Sequence, residues 1–171
     1  MEQRKRRRGD RRDGILLRDL DSLHFITGII YPNRCDNEAY ISETIDLTNV
    51  NAYLEKKNET AEFRYTLFQV IVAALAKTIT LRPKMNRFVA NRNFYQRRGI
   101  SLSFVVKKQF SDQGAEALAV LHVKDSDTIE AVHDYIEEQV TFCRSEKVDS
   151  STGAMDMLNS LPRFISKAAV R

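Results

Sequence analysis

The sequence predicts an α/β fold in which helices pack mainly on one side of a mixed sheet. Three observations carry that prediction. Residues 100–107 alternate apolar side chains with small or polar ones, and residues 117–123 form a second strand-length run dense in apolar residues. Residues 66–81 are apolar on nearly every side over 67–76, too long for a strand and bounded by Thr66 and Pro83. Over residues 127–145, Ile129, Val132, Ile136, Val140 and Cys143 recur on one helical face. A composition of 43% hydrophobic and 29% charged in 171 residues suits one domain with a sizeable core.

In chain order, residues 1–14 read as a basic arm and turn. Residues 1–12 hold seven basic side chains against two acidic ones, which exceeds the net charge of +4 for the whole chain and leaves the body nearly neutral. The simplest reading of this arm is a solvated terminus. Its charge also suits phosphates or an acidic surface, but no aromatic residue interleaves with the arginines to stack bases, so nucleic acid is not favoured. Asp13-Gly14 is a turn signal that folds the basic run back beside Ile15-Leu16-Leu17. Residues 19–30 carry Leu20, Leu23, Ile26, Thr27 and Ile30 at helical spacing, before a loop from Pro32 to Asn37. Residues 38–47 alternate Ala39, Ile41, Glu43 and Ile45 with Tyr40, Ser42 and Thr44, the pattern of a strand with a partly exposed face.

Thr48 or Asn49 then caps a helix to about Lys57, a short side-chain oxygen accepting from a first-turn N–H. The apolar helix from Thr66 belongs between other layers, and Pro83 stops it. Residues 87–89 and 94–96 flank Ala90-Asn91-Arg92-Asn93 as a hairpin, its asparagines tolerating left-handed backbone angles. Residues 111–114 turn between the two long strands. Asp127 to Glu130 has capping-box spacing, and a short helix over 154–161 precedes Pro162.

Several function classes drop out. The longest nearly apolar run, over 67–76, falls far short of the roughly 20 residues needed to span a bilayer, and no secretory leader pattern follows the basic start. A cytoplasmic protein with no membrane partner is the expectation. Cys35 and Cys143 lie far apart without metal-ligand spacing, so free thiols and no metal are expected.

The order and spacing of Ile45-Asp46-Leu47-Thr48, the apolar helix opened by Thr66, and Pro83-Lys84-Met85-Asn86 resemble an acyltransferase. The resemblance is to the superfamily of chloramphenicol acetyltransferase and the catalytic domain of the 2-oxo acid dehydrogenase dihydrolipoyl acyltransferase. Gly9-Asp10-Arg11-Arg12-Asp13-Gly14 is similar to the start of standalone bacterial members, so the likeness runs over about residues 9–165. It implies a chloramphenicol acetyltransferase-like two-layer sandwich, incomplete here, with residues 15–171 as the N-terminal portion of the domain. The implied substrate is an acyl thioester, with coenzyme A or a lipoyl thiol as co-substrate and no covalently bound cofactor. The implied partner is a second copy, in a trimer as in the family, or a complementing C-terminal half.

In that family a histidine of a His-x-x-x-Asp-Gly motif deprotonates the thiol, and a hydroxyl stabilises the oxyanion. This sequence has no such motif, so no catalytic residue is assigned and the chain alone is expected to be inactive. Arg34 falls where the family has an early arginine that pairs with the motif's Asp, which makes it a site-supporting candidate; the alternative is a surface loop arginine. Tyr31 and Phe104 are candidates for lining the acyl-acceptor channel, with core packing as the alternative. Asp46, Thr48 and Asn86 match positions that are structural. His24, His122 and His133 lack Asp-Gly four and five residues later, and each is expected to face solvent or bond locally. His133 and Asp134 are helical neighbours that do not face each other. A noncatalytic assembly relative and, behind it, a nucleic-acid-binding module remain as other readings.

Overall fold

The computed structural model describes residues 5–31, 33–109, 115–145, 153, 157–163 and 165–166, the side chain of Arg34 excepted. Its elements are β1 (Gly14–Leu16), α1 (Ser22–Ile30), α2 (Thr48–Asn58), α3 (Leu67–Leu81), β2 (Arg87–Ala90), β3 (Asn93–Arg97), β4 (Ile100–Lys107), β5 (Glu116–Val123) and α4 (Ile129–Arg144). Two 3-10 turns, Arg34–Asn37 and Pro83–Asn86, follow α1 and α3. The α/β class holds, but one mixed sheet does not form. Strands β1-β3-β2 make one antiparallel sheet and β4-β5 a separate antiparallel ribbon.

The ribbon carries the core. Ile100 lies opposite Val123, Leu102 opposite Leu121, Phe104 opposite Ala119 and Val106 opposite Ala117, so these side chains share the inner face. Helices α3 and α4 cover that face through Val72, Ala76, Val132 and Ile136. Helices therefore lie on one side of this ribbon, as its two-residue alternation requires. Its other face presents Val105, Leu118 and Val120 to solvent.

Helix α3 departs from the expected burial. Only Gln69, Val72 and Ala76 are buried, whereas Phe68, Ile71, Leu75 and Leu81 are exposed. One stripe reaches the ribbon, and no second layer among the described residues covers the opposite stripe. Its start is well defined: Thr66 and Gln69 form a capping box, with Gln69 Oε1 accepting from the Thr66 backbone N–H.

Residues 38–47 do not form a strand. Tyr40, Ile41 and Ile45 are 89%, 85% and 74% exposed, and none of residues 39–45 makes a backbone hydrogen bond with another described residue. The alternating pattern is present, but a strand also needs a neighbour to accept its N–H groups. Helix α1 starts at Ser22, three residues later than expected, because Asp21 accepts from His24 N at 3.1 Å and caps there. The hairpin turn is Asn91-Arg92, at φ 47° and 60°, so its second left-handed position falls on Arg92 and not Asn93. At α4 the expected capping box gives way to Thr128 as N-cap, with Glu130 paired instead to Lys57. The turn over 111–114 and residues 154–156 of the terminal helix lie outside the described residues; 157–160 are helical.

Over its described part the basic arm keeps its basic side chains exposed, while Asp10 ties its backbone to the small sheet. The Asp10 side chain is 0% exposed and accepts from Arg7 N at 2.9 Å and Leu16 N at 3.0 Å. Arg18 and Arg98 approach the same carboxylate at 3.6 and 3.8 Å. The reversal beside Gly14 is as expected, with Arg11 N donating to Gly14 O. Gly14 also sits where a Cβ would meet the Phe88 ring at 2.7 Å, so only glycine lets β1 lie this close to the aromatic pair Phe88–Tyr95.

Candidate functional site

The residues matched to the acyltransferase pattern fall in three places. Tyr31 ends α1, exposed, its N–H donating to Thr27 O at 3.2 Å. Arg34 opens the following 3-10 turn. Phe104 is half-buried on the inner face of β4, edge-on to Phe68 of α3 with centroids 5.0 Å apart. No hydrogen bond, ion pair or ring contact among the described residues joins Tyr31 with Phe104.

The Asp46-Leu47-Thr48 step has a structural job. Asp46 Oδ1 accepts from Thr48 N at 2.9 Å and from Thr48 Oγ1 at 2.6 Å, which holds the Asp46 carboxyl below its usual range. Asp46, not Thr48 or Asn49, therefore satisfies the first turn of α2, and Thr48 lies inside the helix. Asn86 is buried, donating to Gly99 O at 2.9 Å, while Gln96 Nε2 reaches Asn86 O at 3.1 Å. These bonds lock the turn after α3 to the start of β4. Asn86 thus serves the fold here.

The histidines differ from one another. His24 is exposed and its Nδ1 meets Asp21 Oδ2 at 2.6 Å, a local capping contact with no nucleophile beside it. His122 lies on the outer face of β5 and is exposed, as expected. His133 overturns its expectation. It is 4% exposed, stacked on Tyr65 at 3.7 Å and edge-on to Phe63 at 5.5 Å, and its buried Nδ1 has no hydrogen-bond partner among the described residues. An apolar slot between α4 and the chain leading into α3 accounts for this, and helical periodicity alone could not reveal it.

A cluster of polar and aromatic groups surrounds that slot. Lys57 pairs with Glu130 and lies over the rings of Tyr65, at 5.0 Å, and Tyr53, at 5.8 Å. The Lys57 ammonium holds the Glu130 carboxyl down to about 2, and burial raises the Tyr65 phenol. An open cleft of about 560 Å³ is lined by Tyr53, Lys56, Lys57, Thr60, Ala61 and Tyr65, and a larger one of about 840 Å³ lies beside Leu54, Asn58 and Thr66. Neither cleft includes Tyr31 or Phe104. Sequence reading missed this cluster because its members come from α2, α4 and the loop between α2 and α3.

Cys35 is exposed and Cys143 buried, and neither forms a disulfide among the described residues. Among the described residues no group of three His, Cys, Asp or Glu side chains is placed to hold a metal ion. No helix among them is long and apolar enough to cross a membrane. Neither family models nor curated proteins nor solved structures give a match to this chain.

Proposed function

We propose that the chain supplies the N-terminal, noncatalytic portion of a coenzyme A- or dihydrolipoyl-dependent acyltransferase of chloramphenicol acetyltransferase-like two-layer architecture. The observation that carries this reading is α3. It is apolar on nearly every side over residues 67–76, capped by Thr66 and stopped by Pro83, yet Ile71, Leu75 and Leu81 are exposed, as is part of Phe68. A helix of this composition gains its stability from burial on both sides. The bare stripe is the place for a complementing layer, either a C-terminal half or a neighbouring subunit, which brings the catalytic histidine.

In this reading Asp46 and Thr48 set the entry of α2, Arg34 supports an aspartate of the arriving segment, and Tyr31 and Phe104 line the acceptor channel once it closes. The arriving histidine takes the acceptor thiol's proton, sulfur attacks the acyl carbonyl, and the tetrahedral adduct collapses by breaking the donor's C–S bond, the departing thiolate taking the proton back from the histidine. The described residues of this chain then act by shaping the channel and excluding water. The test is the intact mass and composition of the native protein from its source. A native species larger than 19.7 kDa, or one holding a complementing polypeptide, is expected. A lone native chain of 19.7 kDa would overturn the reading in favour of a noncatalytic, partner-binding relative.

A further inference from the structure

Charge is unevenly distributed over this chain. Residues 5–18 and 82–98 hold thirteen basic side chains against two acidic ones, a net of +11, which leaves −7 for the rest of a chain whose total is +4. The fold brings the two stretches together, since β1 pairs with β3 and β3 with β2, and Arg98 N donates to Asp13 O. Both acidic side chains are engaged. The Asp10 carboxylate is 0% exposed and accepts from two backbone N–H groups, and Asp13 meets Arg11 Nε at 2.9 Å. All seven basic residues of 5–18 are exposed. We infer that this lobe binds the phosphate backbone of a nucleic-acid duplex without reading its bases.

One face of the small sheet concentrates the charge. The pairing of Gly14 with Arg97, and of Leu16 and Phe88 with Tyr95, sets these residues on a common side. Helix α1 takes the opposite side, Gly28 lying against the Phe94 ring. On the first side Arg11 sits 5.7 Å from the Phe88 ring and 5.9 Å from that of Tyr95, and Arg97 lies 4.7 Å from Phe88. Beside them an open cleft of about 680 Å³ is lined by Arg6, Asp10, Arg11, Arg12 and Asp13. Holding so many like charges together is unfavourable, and a polyanion relieves it. All the basic residues of the lobe but Lys5 and Lys84 are arginines, whose planar fork matches phosphate oxygens. Guanidinium groups lie over Phe88, and Tyr95 is buried, so neither ring is a platform for a base; the contact is to backbone, which a duplex presents most densely. An acidic membrane fits less well. Residues 5–18 and the strand residues of this face include no exposed large apolar side chain to insert, and one basic signal holds a bilayer only marginally. The inference does not rest on acyl transfer and can hold or fail independently of it.

The test is fluorescence anisotropy of the purified chain with a labelled DNA duplex of about two helical turns, and with an RNA duplex of the same sequence. Binding of at least one duplex in about the micromolar range is expected at about 50 mM salt. If Arg6, Arg11, Arg12 and Arg97 each meet one phosphate, raising salt to about 200 mM weakens binding about 150-fold, a logarithmic slope of about −3.6. The four-fold variant Arg6→Gln, Arg11→Gln, Arg12→Gln, Arg97→Gln should bind at least about tenfold more weakly, with a flatter slope and unchanged circular dichroism. Arg12→Gln alone, at an exposed side chain, should reduce the slope by about 1 even if the four-fold variant fails to fold. A charge-matched control, Lys56→Gln, Lys77→Gln, Lys107→Gln, Lys124→Gln, should lose less than about threefold, because these lysines lie outside the lobe. The proposal is overturned by absence of binding to both duplexes at low salt, by a control that loses as much as the arginine variant, or by an unchanged slope in Arg12→Gln. Co-sedimentation with phosphatidylserine vesicles in the absence of duplex binding would assign the face to a membrane and overturn it as well.

Discussion

Replacing Asp10 tests how the basic arm is held. Its carboxylate is fully buried and receives two backbone N–H groups, from Arg7 and Leu16, with Arg18 and Arg98 beside it. In Asp10→Ala the two N–H groups lose their acceptor, at about 1–3 kcal/mol for one that water cannot reach. Arg18 can turn into solvent, since its side chain is 41% exposed, which limits the charge contribution. The net loss should be about 3 kcal/mol, or about 1.5 M in urea midpoint at a slope of about 2 kcal/mol/M. Asp10→Asn should lose about half as much, because one oxygen remains while its amide faces a donor. Urea titration followed by circular dichroism reads the midpoint, and trypsin cleavage in the arm should accelerate in both variants. A midpoint shift below about 0.3 M with unchanged cleavage would refute the buried clamp.

Three further outcomes follow from the core and the Lys57 cluster. Leu121→Ala removes a nearly inaccessible side chain from the ribbon's inner face and should cost about 3 kcal/mol in the same titration. His133→Phe keeps the ring between Tyr65 and Phe63 while removing the buried Nδ1 that has no partner, so stability should be unchanged or rise by about 1 kcal/mol; a loss would show that the imidazole is bonded in solution. Glu130 is held in the folded state at about 2, below its ordinary 4.5, so its stabilising contribution is full above pH 4.5 and disappears as pH falls toward 2. The difference between the wild-type and Glu130→Gln urea midpoints should therefore shrink across that window, and it should be small and salt-sensitive because the Glu130 side chain is half exposed.

Local patterns made much of the fold legible. Strand β4 follows from the alternation of Ile100, Leu102, Phe104 and Val106, and Thr66 and Pro83 bracket α3 through their backbone chemistry. What the sequence hid depends on neighbours. Residues 39–45 have a strand's alternation but no ladder partner among the described residues, and α3 has a buried helix's composition with one stripe exposed. The arm's described basic side chains are exposed, as its charge suggested, but its anchor, the buried Asp10 accepting from Arg7 N and Leu16 N, shows only in the fold. Arg11 of the arm also finds aromatic faces only in three dimensions, lying 5.7 Å from the Phe88 ring and 5.9 Å from the Tyr95 ring. The candidate site was legible only as scattered positions: Asp46, Thr48 and Asn86 proved structural, while Tyr31 and Phe104 lie on separate elements with no contact recorded between them. The slot around His133 could not be read from spacing, because stacking on Tyr65 joins residues 68 positions apart.

Thiol-dependent acyl transfer by the native assembly tests the central claim most directly. The assembly would be isolated from its source through antibodies to this chain and assayed with acetyl-coenzyme A and dihydrolipoamide beside the purified 171-residue chain. The account predicts turnover by the native assembly and none by the chain alone. Turnover by the isolated chain, or an intact native assembly devoid of acyl transfer across a panel of acyl thioesters, would contradict it.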